Sequence, residues 1–80
     1  MLIENIEKLH TTSVGITRIT RNMGIEKTQV IEYCKKLITL NDTKITTCGK
    51  NFYCKNKNII IVINAINYMI INAYKINCIE

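Results

Sequence analysis

Lysine, tyrosine and asparagine recur together in the second half of this 80-residue chain, at Lys50, Asn51, Tyr53, Lys55, Lys57, Tyr68, Tyr74 and Lys75. Ammonium groups hold phosphates, and phenol rings stack on unpaired bases. The set therefore suits contact with single-stranded nucleic acid. Tyrosine and lysine could also run a metal-free RNA cleavage, one group activating a 2′-hydroxyl and the cations stabilising the phosphorane. The plainer reading is of sheet tyrosines half buried by their rings, with hydroxyls in water.

Other catalytic sets are missing. The single histidine, His10, stands beside Thr11 and Thr12 at a helix end and reads as a capping or packing residue. Of six carboxylates, four fall on exposed helix faces, and no pair is placed for acid/base or metal-dependent hydrolysis. Gly15, Gly24 and Gly49 are scattered, so there is no glycine-rich phosphate loop. Cys34, Cys48, Cys54 and Cys78 form no C-x-x-C pair and lie far in sequence from His10. They read as reduced, mostly buried thiols of a reducing compartment rather than zinc ligands. No metal, cofactor or catalytic residue is expected.

The net charge is +5, and it is uneven. Before Lys44 six basic residues face five acidic ones; from Lys44 onward five lysines face only Glu80. A basic half of this kind points to a polyanion, nucleic acid being the commonest. Arg18 and Arg21 could flank such a surface.

The elements that must position these residues follow from hydrophobic period. Residues 2–10 read as a short amphipathic helix on Leu2, Ile6 and Leu9. Thr11-Thr12-Ser13 is a capping cluster for a second helix, to about Asn22, that Gly24 ends in a left-handed conformation. A third helix spans about Lys27 to Ile38, with Val30, Ile31, Cys34, Leu37 and Ile38 as its inner stripe. The period then changes from helical to two. Strands are expected over Lys44–Cys48, Asn51–Lys55, Ile59–Asn64 and Tyr68–Ile76, with turns at Gly49-Lys50 and Asn56-Lys57-Asn58, and a turn or bulge at Ala65-Ile66-Asn67. Short connections imply an antiparallel meander. The expected fold is α+β, one domain over 1–80. Two to three helices in residues 1–40 cover one face of a four-stranded sheet in residues 43–77, leaving the other face free.

The longest apolar run, Ile59 to Ile63, is strand-length, far short of the roughly 18 residues of a membrane span. The opening Met-Leu-Ile-Glu-Asn lacks the features of a signal peptide, so a cytoplasmic protein away from membranes is expected.

Leu9-His10-Thr11-Thr12, Gly15, Arg18-Ile19 and Asn22 resemble the opening of a small bacterial family known only as a domain of unknown function. Gly49-Lys50-Asn51-Phe52-Tyr53 is similar to that family's Gly-Lys-Asn-Trp-Tyr. Ile63-Asn64-Ala65, Tyr68, Ile70-Ile71, Ala73 and Lys75 resemble its Ile-Asn-Ala and Tyr-Thr-Ile-Ile-Thr-Ala-His-Lys ending. The resemblance implies a fold like that of RelE-type and colicin-type ribonucleases. It also implies a histidine on the last strand, where this chain has Tyr74; the flanking threonines are replaced by Met69 and Asn72. A nuclease-like frame without that histidine can still bind RNA or a ribonucleoprotein.

The leading expectation is a non-enzymatic binder of RNA or of an RNA-guided nuclease, acting as an inhibitor in the manner of phage-borne anti-CRISPR proteins. Its contact residues are Arg18, Arg21, Lys50, Asn51, Tyr53, Lys55, Lys57, Tyr68, Tyr74 and Lys75. One alternative is a metal-independent ribonuclease of the toxin type. Another is a winged helix-turn-helix DNA-binding regulator, its second helix presenting Lys27, Thr28, Gln29, Glu32, Lys35 and Lys36 to the groove. An exposed edge strand could also pair across a two-fold axis to make a homodimer.

Overall fold

A computed structural model describes residues 2–76. A short 3-10 helix, Ile3–Lys8, opens the chain. Two α-helices follow, α1 (Ser13–Met23) and α2 (Val30–Ile38), the second entered through a 3-10 turn at Lys27–Gln29. Strands β1 (Lys44–Cys48), β2 (Asn51–Asn56), β3 (Ile59–Asn64) and β4 (Ile70–Lys75) then form one antiparallel sheet in sequence order. The α+β reading holds, with helices in the first half and a four-strand meander in the second.

Local chemistry sets these boundaries. Thr12 caps α1, its hydroxyl accepting from the Gly15 amide at 3.1 Å. Gly24 closes the helix at φ 70°, its amide donating to the Thr20 carbonyl at 2.8 Å. Ile19 and Met23 of α1, with Val30, Cys34, Leu37 and Ile38 of α2, enter a core shared with Cys54, Ile61, Ile63, Ile70 and Ala73 of the sheet. The inward sheet residues alternate along each strand, as a half-covered sheet requires.

The first helix departs from expectation. It is a 3-10 segment kinked at Asn5 (φ −115°, ψ 23°) and ends at Lys8, not at residue 10. The backbone of His10 is taken by the sheet instead. Its amide donates to the Tyr68 carbonyl at 3.4 Å, and its carbonyl accepts from the Ile70 amide at 2.7 Å. Tertiary pairing overrides a short helix that has weak propagation of its own.

The last strand also starts later than expected, at Ile70. Residues 65–67 form the turn, built by asparagine side chains. Asn64 Oδ1 accepts from the amides of Ile66 and Asn67 at 2.8 and 3.1 Å, and Asn67 Oδ1 accepts from Met69 at 3.0 Å. The loop leaves Tyr68 at φ 60°, a left-handed conformation that costs a non-glycine residue about 1–2 kcal/mol. A register shift between Val62 and Ile63 leaves Ile71 as the extra residue of a bulge in β4.

Helix α1 does more than cover the sheet. It lies along the outer edge of β4, where Asn22 Nδ2 donates to the Ala73 carbonyl at 3.2 Å and Thr11 Oγ1 donates to the Ile70 carbonyl at 2.9 Å. That edge is therefore closed. Among the described residues no helix is long and apolar enough to cross a membrane.

Candidate nucleic-acid interface

The strand register sorts the expected contact residues by face. Cys54, opposite Ile45 and Ile61, points into the core, so its neighbours Tyr53 and Lys55 point the other way. The uncovered face then reads in rows across the sheet. One row is Lys44, Lys55, Ile60 and Tyr74; the next is Thr46, Tyr53, Val62 and Asn72; Cys48, Asn51 and Asn64 follow. Val62 is buried yet stands outside the core cluster, so the side chains of this face shield it. Among the described residues no carboxylate occupies these rows.

Lys44 and Lys55 stand directly opposite each other. Like charges at such a position, with Cβ atoms about 4.5–5.5 Å apart, disfavour the pair. A bound anion would relieve that repulsion. Sequence reading missed Lys44 as a contact residue, although the signal was present: counting outward from the two-residue Gly49-Lys50 turn pairs Cys48 with Asn51 and Lys44 with Lys55.

Lys57 and Lys75 sit at the same end of the sheet. Lys57 occupies the β2–β3 turn at φ 55°, and Lys75 pairs with Ile59 beside that turn. Lys75 has the parity of the helix-covered side but is exposed at the strand end. Asp42 is the acid near this end, and it accepts from the buried Asn56 amide at 2.8 Å. Lys50 lies at the opposite end, where its carbonyl accepts from the Ala65 amide at 2.7 Å and ties two turns together.

Tyr68 is not with Tyr53 and Tyr74. Its ring stacks on Phe52, centroids 6.4 Å apart, on the core side of the sheet, and the Lys8 ammonium lies 5.7 Å from its centre. Its place is in packing the β3–β4 loop. Arg18 and Arg21 are exposed on α1, where with Ser13, Val14 and Thr17 they line a shallow groove of about 370 Å³. No acidic side chain lies on α1. Asn22 Nδ2, one residue beyond Arg21, also donates to Asn72 Oδ1 at 3.1 Å. Because Asn72 belongs to the uncovered face, this contact puts α1 at the flank of that face.

The face of α2 is more occupied. Lys35 bonds Glu7 at 3.0 Å and lies 4.0 Å from Glu32. His10 is exposed, and its Nδ1 is 3.0 Å from the Lys8 carbonyl. Among the described residues no three His, Cys, Asp or Glu side chains gather as a metal site. Cys34 and Cys54 are buried, as expected; burial, and for Cys34 also the nearby Cys54, pushes their thiols up to about 12 and about 11. Cys48 differs: it is exposed on the uncovered face. Cys78 lies outside the described residues.

The geometry defines a small α+β protein with an open, cationic, tyrosine-bearing sheet face. The chain belongs to the family described as protein of unknown function (DUF3781), which matches residues 3–74. No curated protein and no solved structure matches it. The motifs that carried the family resemblance have structural work: Thr11 and Asn22 fasten the α1 segment to β4, Thr12 caps α1 on the Gly15 amide, and Asn64 builds the β3–β4 turn.

Proposed function

We propose that the protein binds single-stranded RNA, free or held by an RNA-guided nuclease, through the uncovered sheet face and without cleaving it. The observation that supports this most is the Lys44–Lys55 pair, which no carboxylate among the described residues opposes on that face, with Tyr53 and Tyr74 on the same face. Lysines opposite each other on one face fit a phosphate better than they fit a free protein surface. The rings supply the sequence-tolerant part of recognition, about 1–3 kcal/mol per stacked base. Lys57 and Lys75 extend the cationic end, and Arg18 and Arg21 take the strand as it leaves the sheet over β4. Blocking a nuclease by occupying its RNA is the inhibitory action such a surface would perform.

Photo-crosslinking to a single-stranded oligoribonucleotide, with adducts mapped by mass spectrometry, tests the surface. Adducts are expected on Tyr53 and Tyr74. Tyr33 and Tyr68, which pack against the core, serve as internal controls. Adducts confined to α2, or a product ladder from cut RNA, would replace this reading with a DNA-type helix surface or with a ribonuclease.

A further inference from the structure

The two edges of the sheet are treated differently. Hydrogen bonds alternate along each strand, and the tight turns fix their phase. Asn56 and Ile59 close the Lys57-Asn58 turn, and Cys48 and Asn51 close the Gly49-Lys50 turn. In two-residue hairpins these closing residues bond each other. Residues 44, 46 and 48 of β1 therefore bond β2, and Ile45 and Thr47 aim their backbone groups away from the sheet. The same alternation aims Ala73 of β4 outward, where Asn22 donates to its carbonyl at 3.2 Å, which confirms the phase. Ile70 likewise is bonded by His10 and Thr11. Among the described residues nothing bonds the outward groups of Ile45 and Thr47.

This bare edge is lightly protected: the strand is short and carries one lysine at its start. β1 has no proline and no bulge, its one charge is Lys44 at the first residue, and its centre is the β-branched run Ile45-Thr46-Thr47.

We propose that β1 pairs antiparallel with β1 of a second copy, with Thr46 on the two-fold axis. This register is selected by the edge itself. Ile45 meets Thr47 of the partner subunit, and Thr47 meets Ile45 of the partner subunit, each pair exchanging both backbone hydrogen bonds. Lys44 falls opposite Cys48 of the partner subunit, so no like charges meet across the new ladder. Thr46 faces its own copy on the uncovered side, a favourable cross-strand pair. A register one step either way leaves one of the outward pairs unmade. The result is a continuous eight-strand sheet with the uncovered faces of both copies side by side. The pairing stands whatever ligand that face takes.

Light scattering coupled to gel filtration should give twice the chain mass, with dissociation on dilution. Thr47→Pro removes an outward amide and spares the β1–β2 ladder, so it should give a monomer with an unchanged circular dichroism spectrum. Thr46→Cys, in a Cys48→Ser, Cys78→Ser background, should form an intermolecular disulfide under mild oxidation, because the new thiols face each other at a non-hydrogen-bonded pair. This second variant does not depend on the proline being tolerated. A monomer at every concentration, whether or not a foreign extended peptide binds the edge, would overturn the proposal. So would a dimer whose Thr46→Cys thiols fail to crosslink.

Discussion

Cys34 on α2 and Cys54 on β2 meet at the centre of the core, and burial raises both thiols from 9.0 to about 12 and about 11. In the unfolded chain they would ionise near the ordinary value; in the folded chain they stay protonated. The unfolded state therefore binds fewer protons above pH 9.0, and stability falls as pH rises. The contribution is complete below 9.0 and is lost between 9.0 and about 11–12. Urea midpoints should hold steady from neutral pH to the ordinary thiol value and then decline. Cys34→Ala should flatten the alkaline part of that profile while lowering stability throughout. Cys48, in the open, should react with a thiol reagent in the native protein well before Cys34 and Cys54 do. Sequence placed the first two correctly because they fall on apolar stripes. It could not place Cys48, since alternation beside a turn fits either face until the register is known.

At the scale of elements, the join between α1 and β4 organises the molecule. Gly15 is needed there because a Cβ would collide with Thr11 Oγ1. That hydroxyl cannot simply rotate away without breaking its 2.9 Å bond to the Ile70 carbonyl. Gly15→Ala should cost about 1–3 kcal/mol, as overpacking does, each 1 kcal/mol lowering Tm by about 4–8 °C. Thr11→Val together with Gly15→Ala should cost less than the separate losses combined, because the two act on one contact. Calorimetry of the single and double variants checks both statements. The long elements were legible: α1, α2 and the strands β1 to β3 announce themselves through period, cap and turn residues such as Thr12, Gly24 and Gly49. The first helix and the start of β4 were not. His10 and Tyr68 pair with each other's segments across 58 positions of chain, and no local pattern reports a partner that distant.

The whole molecule separates its charges by layer. The acids Glu4, Glu7, Glu26 and Glu32 lie on the helical side among Lys8, Lys27, Lys35 and Lys36, with Asp42 in the loop that follows. Among the described residues the lysines of the sheet form no ion pair. That asymmetry is legible as a count of charges along the chain, and Tyr53, Lys55 and Tyr74 follow from it as contact residues. The register then adds Lys44 and moves Tyr68 to the packing of the loop, which tightens the candidate surface to one face and one end. RNA binding by this face is tested most directly by fluorescence anisotropy of a labelled single-stranded oligoribonucleotide, titrated with the wild-type protein and with the double variant Lys44→Glu, Lys55→Glu across a series of salt concentrations. Wild-type binding should weaken steeply with salt, and the variant should show at least about a tenfold loss with a shallower salt slope and an unchanged fold. Equal affinity and equal slope in the two proteins, or no binding by the wild type at low salt, would contradict it.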